Sequence, residues 1–222
     1  MWQLRLRRLA YGSRVAGTDL RRCWQTALPA NGQDWRQVPF LVVDAEMSSL
    51  DVNEGELLSV GWVVIEEGAI ALDSARYHRV RPVNPVGQSA TIHSLRDCEL
   101  SAAQGSAEVL AQLLLAAAGK VLVFHNAALD MAYLNRVCKR AFTAPILLPF
   151  VDTLLQEESL LRRRGLAIKP GDLRLHACRK RYQLPVYPGH NALLDALATA
   201  ELLLAMAAHR SGGRHFALRQ LL

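Results

Sequence analysis

FLVVDAEMS, residues 40–48, is the stretch whose reading decides the fold. Phe40 to Val43 form a short apolar run of the kind that makes a strand covered on both faces. Side chains two apart on a strand share a face, so Asp44 and Glu46 project together at its C-terminal end. Two neighbouring anions repel unless a cation neutralises them, and hard divalent ions bind through oxygen. Taken alone, the pair also reads as an acidic turn with both groups solvated.

Two further blocks repeat the pattern of an apolar element followed by acids. In VFHNAALDMAYL (123–134) the strand Val121 to Phe124 runs into His125 and Asn126, then into a helix. Asn126 reads as its N-cap, and Leu129, Tyr133, Leu134 and Val137 follow at helical spacing. Asp130 lies about one turn in, where it either complements the helix dipole or serves as a ligand. GHNALLDALATAELL (189–203) opens with Gly189, which lets the chain bend, then His190 and a cap at Asn191. Asp195 sits among Leu193, Leu194, Leu197 and Leu202 on a long apolar helix. A carboxylate there is costly unless it points out of the core or binds something.

Periodicity and punctuation supply the remaining elements. Strands are predicted over 39–44, 57–66 and 70–80, the last two joined by a hairpin turn at Glu66-Glu67-Gly68. A helix over 106–118 starts at Ser106 as N-cap. Then come a strand over 120–125, a helix over 127–140 and a short strand over 148–152. Helices follow over 152–161, 171–183 and 191–208. Three antiparallel strands followed by strand–helix alternation give an α/β chain with a five-stranded mixed sheet flanked by helices.

The three blocks resemble the motifs of the DEDDh 3′–5′ exonucleases, whose best-known member is the proofreading epsilon subunit of bacterial DNA polymerase III. Asp44 and Glu46 match the first motif, Asp130 the second, and His190 with Asp195 the third. Ser59-Val60-Gly61, Thr91-Ile92-His93 and Val151-Asp152-Thr153 resemble lesser family marks. The likeness covers residues 39 to about 208 and implies a ribonuclease H-like fold. It also implies two divalent ions, Mg²⁺ or Mn²⁺, held by Asp44, Glu46, Asp130 and Asp195, with His190 as general base. Such a pair of ions lies about 3.5–4 Å apart and stabilises both attacking and leaving oxygens. By the same likeness Met47, Ser48, Ser49, His93, His125 and Asn126 would contact substrate. The family usually writes D-x-E-T-T-G where this chain has Asp44-Ala45-Glu46-Met47-Ser48-Ser49, and Ser94 stands where a glycine is usual.

Composition fits such a chain. Its 222 residues suffice for one sizeable domain plus an appendage, and half are apolar. The reading is a basic, partly helical arm over 1–36, an exonuclease domain over 37–210 and a short tail over 211–222. No uninterrupted run of eighteen apolar residues occurs, which argues against a membrane span. Cys23, Cys98, Cys138 and Cys178 are widely spaced, which argues against a zinc site or disulfide framework and suits a reducing cytoplasm. No signal-peptide pattern is evident.

Charge is uneven. Residues 1–36 hold seven arginines against Asp19 and Asp34, a net of +5 out of +6 for the chain. Three readings fit this arm. A helix from Leu20 to Leu28 packs with its arginines solvated, or the arm contacts nucleic acid, or it is a targeting segment. A second basic stretch, 161–181, sets Arg162, Arg163, Arg164, Lys169, Arg174, Arg179, Lys180 and Arg181 against Asp172 alone. It reads either as a guide for a single strand or as solvated helix faces.

Three function classes remain open from sequence. The first is an exonuclease acting at the 3′ end of single-stranded nucleic acid, with DNA favoured over short RNA. The second is a polymerase proofreading subunit with the same chemistry, and the third a non-catalytic nucleic-acid binding module. A polymerase or a second copy of the chain is a candidate partner.

Overall fold

The computed structural model describes residues 2–83 and 102–222. Among these the sheet has the order β3-β2-β1-β4-β5. The strands are β1 (Phe40–Met47), β2 (Leu57–Glu66), β3 (Ala69–Arg79), β4 (Val121–Phe124) and β5 (Phe150–Asp152). β1, β2 and β3 are antiparallel neighbours, while β4 runs parallel to both β1 and β5. The expected five-stranded mixed sheet is therefore present. Thr91, Ile92, His93 and Ser94 lie outside the described residues.

β1 extends three residues beyond the predicted 39–44. β2 keeps pairing with it, matching Asp44 with Gly61, Ala45 with Val60 and Glu46 with Ser59, before the register slips at Met47. The hairpin between β2 and β3 turns on Glu67 (φ 52°) and Gly68 (φ 73°), with Glu66 paired to Ala69. Two left-handed central residues match the right-handed twist of the flanking strands.

Helices cover both faces. They are α1 (Trp2–Leu9), α2 (Asp19–Gln25), α3 (Ser106–Ala117), α4 (Ala127–Phe142), α5 (Thr153–Arg163), α6 (Leu175–Arg181) and α7 (Ala192–Ser211). The period-two alternation of β1 and β2 sorts their side chains into two cores. Leu41, Val43, Val60, Trp62 and Val64 pack with Leu110, Leu114 and Leu134. Phe40, Val42, Val63 and Ile65 pack on the other face with Ala200, Leu203 and Ala207 of α7. Asp44 and Glu46 continue the second set, so alternation alone aims them at α7. That helix has the length and mean hydropathy (1.5) of a membrane span, yet half of it is buried inside this molecule. It lies across β1 and β2.

Ser106 is the first helical residue of α3 rather than its cap, because Gly105 occupies that place and its N–H is taken by the Glu108 carboxylate at 3.2 Å. At the N-terminus, Val15, Leu20, Cys23 and Trp24 are buried in the same core as β1. Arg8 donates to the Leu147 carbonyl at 2.9 and 2.7 Å and to the Trp24 carbonyl at 3.0 Å. The chain ends meet as well. Trp35 N–H donates to the Phe216 carbonyl at 3.0 Å and Leu218 N–H to the Gln33 carbonyl at 2.9 Å.

Candidate active site

Asp44, Glu46 and Asp195 come together where β1 passes beneath the start of α7. Each offers a carboxylate oxygen, and these atoms lie within 4.8 Å of one another. Gly61 allows this approach. A methyl group there would sit 2.3 Å from Leu193 N, 2.4 Å from Ala192 C and 2.5 Å from Leu193 Cα. The first turn of α7 thus rests directly on the β2 backbone beside Asp44.

The α7 terminus is built by its own polar residues. Asn191 caps it, its side chain accepting from Leu193 and Leu194 N–H at 3.1 Å each. Asp195 accepts the His190 N–H at 2.8 Å, which folds the histidine back over the helix start. The bend falls on His190 itself, at φ 66°, and not on Gly189 as its position suggests. Histidine is among the non-glycine residues that tolerate that region.

Asp130 stands beside the cluster but outside the triad. It is buried, and its Oδ1 accepts the Ala45 N–H at 3.0 Å, fastening α4 to the middle of β1. Asn126 does not cap α4 with its side chain; it adopts φ 75° and leaves the role to another residue. The Asp152 carboxylate accepts from Asn126 N–H at 3.0 Å, Ala127 N–H at 2.9 Å and Leu154 N–H at 2.9 Å. One buried acid therefore closes the N-termini of both α4 and α5. The Val151-Asp152-Thr153 sequence at the end of β5 was the available signal, since aspartate is a strong cap.

Burial and mutual repulsion push protons onto this cluster. Asp44 is held well above the usual carboxylate range, first by burial and then by Asp130, Glu46 and Asp195. Burial, then Asp195, raises Glu46 to about 7. Asp130 and Asp195 are raised too, burial being the largest cause for each, with backbone N–H groups opposing it. Such a group of clustered acids is the donor set that a hard divalent cation fits, because the ion offsets the charge that burial penalises.

The triad opens into a cleft of about 1380 Å³ lined by Asp44, His190 and Asp195 and by residues of the 168–187 stretch. Four of the eight basic residues in 161–181 turn to the protein: Arg162 to Glu158, Arg164 to His209, Arg179 to Glu201 and Arg181 to Glu157. Lys169, Arg174 and Lys180 line the cleft. His125 lines it as well, with both ring nitrogens engaged. Nε2 meets the Leu173 carbonyl at 2.9 Å and Nδ1 the Thr153 hydroxyl at 2.8 Å. A carbonyl can only accept, so Nε2 carries a hydrogen; burial lowers the ring's pKa, and the Thr153 hydroxyl also donates to the Phe124 carbonyl at 3.1 Å. His125 thereby tethers the 164–174 segment to the end of β4.

At the end of β1, Met47 packs against the α3–α4 core, and the loop follows. Ser48 Oγ accepts the Glu56 N–H at 2.8 Å and Ser49 Oγ the Asp51 N–H at 3.0 Å. Tyr133 donates its hydroxyl to the Ser49 carbonyl at 2.7 Å and the Asp51 carbonyl at 3.0 Å. Arg136 donates to the Val52 and Gly55 carbonyls. Two side chains of α4 thus clamp the loop beside the acids.

Comparison with known proteins places this architecture. Residues 41–203 match the RNase_T exonuclease family. The PolC-type DNA polymerase III of Thermotoga petrophila is 28% identical over 167 residues, covering 74% of this chain and 12% of that protein. The chain thus spans about an eighth of such relatives. The epsilon subunit of DNA polymerase III from Treponema pallidum is 26% identical over 184 residues, covering 80% of this chain and 83% of that one. Among solved structures, E. coli exonuclease I in complex with a 5cy-dT13 oligonucleotide superposes with a TM-score of 0.64 at 17% identity, over 79% of this chain and 42% of that chain. Exonuclease X in complex with 5′ overhanging duplex DNA gives 0.59 at 24% identity, over 82% and 96%. This chain belongs to the RNase_T exonuclease family.

Proposed function

We propose that the chain hydrolyses single-stranded nucleic acid from its 3′ end to nucleoside 5′-monophosphates, with DNA favoured over RNA. The observation that carries the reading is the convergence of Asp44, Glu46 and Asp195 within 4.8 Å, with Asp44 and Asp195 lining a cleft also lined by His190. Two divalent ions, Mg²⁺ or Mn²⁺, would be held by these three acids with Asp130 alongside. When bound they would stabilise charge on the attacking and leaving oxygens of the phosphodiester.

The residues of the chain divide the remaining work. The His190 imidazole accepts the proton of the attacking water, acting as general base. Its backbone N–H is spent on Asp195, which fixes where the ring can reach. Lys169, Arg174 and Lys180 on the cleft wall hold backbone phosphates and so guide a single strand. The buried thiols of Cys23, Cys138 and Cys178 accord with a reducing cytoplasm.

A second reading, a polymerase proofreading subunit with the same chemistry, is favoured by one observation. The epsilon subunit of Treponema pallidum matches along 83% of its own length.

The test is release of mononucleotides by purified protein with Mg²⁺ or Mn²⁺ on matched single-stranded DNA, RNA and duplex substrates. Asp44→Ala or Asp195→Ala should abolish it while leaving the protein folded; near-normal turnover in either would sink the site. His190→Ala should slow turnover by about 10²–10⁴-fold at neutral pH.

A further inference from the structure

Arg179 is a charged side chain buried inside the protein, 4% exposed, and its guanidinium joins three pieces of chain. It donates to the Ala198 carbonyl at 2.5 Å, the Pro185 carbonyl at 2.7 Å and Glu201 Oε2 at 2.7 Å. The other carboxylate oxygen of Glu201 accepts the Tyr187 hydroxyl at 2.7 Å. The guanidinium carbon also lies 4.7 Å from the centre of the Tyr187 ring. Among the described residues, the hydrogen bonds made by 185–189 all end on Arg179 or Glu201.

This segment leads directly to His190. Its members Pro185 to Gly189 are exposed, and Val186 is 90% exposed, so little apolar packing holds it. A buried charge is costly unless paired, and the planar fork of arginine suits several fixed acceptors at once. Ala198 and Glu201 sit on α7, the helix that also carries Asp195.

We infer that Arg179, Glu201 and Tyr187 form a latch that positions the His190 loop on α7, holding the imidazole in one frame with the acids. These are positioning residues: they act through His190 and do not touch the reacting atoms. The inference rests on the reading of His190 as general base.

A double-mutant comparison tests it, measuring mononucleotide release from single-stranded DNA with Mg²⁺. Arg179→Lys keeps the charge and loses the fork; it should lower kcat by about tenfold or more, since roughly 1 Å of misplacement can cost 10². KM should change far less, because Lys169, Arg174 and Lys180, the proposed phosphate contacts, are unaltered. Tyr187→Phe removes one hydroxyl from an exposed ring and should lower kcat by a smaller factor with thermal stability preserved. It carries the test if Arg179→Lys fails to fold. In a His190→Ala background both latch variants should change the rate by less than about twofold. An equal loss in both backgrounds, or no loss with His190 present, overturns the latch. Normal turnover in His190→Ala alone refutes the general base, and the latch with it, before any latch residue is altered.

Discussion

Gly61→Ala should displace the start of the helix that carries Asp195 and follows His190. The added methyl group would lie 2.3–2.5 Å from backbone atoms of Ala192 and Leu193, none of which can rotate away. Ordinary carbon contacts begin near 3.4 Å, so about 1 Å must open between β2 and the first turn of α7. Further along, Ala200, Leu203 and Ala207 hold the helix against Phe40, Val42 and Val63, so it yields at its N-terminal end. That end bears Asp195 one turn on, and the displacement separates its carboxylate from Asp44 and Glu46. Overpacking of this kind costs about 1–3 kcal/mol, and a misplacement near 1 Å costs about 10²-fold in rate. At roughly 2–4 °C per kcal/mol, the midpoint of thermal unfolding should fall by about 2–12 °C. The assay pairs calorimetry with mononucleotide release under saturating Mg²⁺. Gly189→Ala is the contrast: nothing lies within 4 Å of its added carbon, so its midpoint should hold. A Gly61→Ala protein with unchanged melting and a rate within twofold would refute the close-approach argument.

Other outcomes follow from the same site. Asp152→Ala leaves two helix N-termini without their acceptor and should cost about 1–4 kcal/mol in urea unfolding, the sum expected of two caps. A loss below about 0.5 kcal/mol would show that water replaces it. Glu46, Asp130 and Asp195 all have raised pKa values in the folded state, so they bind protons more tightly there than when unfolded. Their favourable contribution is complete below the unfolded pKa and is lost as pH rises through the folded one, which for Glu46 is about 7. Chelator-treated protein should therefore lose stability from this cluster between about pH 5 and 8, and Mg²⁺ should reverse the trend. The same slope with and without Mg²⁺ would contradict the donor assignment. Replacing Lys169, Arg174 and Lys180 by alanine should flatten the salt dependence of single-strand binding by about 0.7 for each phosphate no longer neutralised. An unchanged slope would leave these residues as solvated surface.

The limits of sequence reading show at particular residues. Asn126 has the composition of a cap, but the chain must pass through a left-handed conformation there, and an acid 26 residues away takes the N–H groups. Arg179 and Lys180 look equivalent in a basic run. Arg179 is buried under Tyr187 and paired with Glu201, while Lys180 is exposed. Local propensity cannot distinguish them, because the partners are supplied by other helices. Met47, at the end of β1, packs against the core on the opposite face from Asp44 and Glu46, a contact that its motif position does not reveal.

Local chemistry and period determined which residues carry charge, where strands and helices lie and which face of β1 the acids occupy. The five-residue step from His190 to Asp195 is likewise written in the chain, because a helix start fixes both. Tertiary structure alone decided that Asp44 and Glu46 meet Asp195, across more than 140 residues of sequence. It did so through backbone contact at Gly61, the shared cap at Asp152 and the Arg179 ion pair. Those three depend on distances between elements, and distances between elements are set by packing.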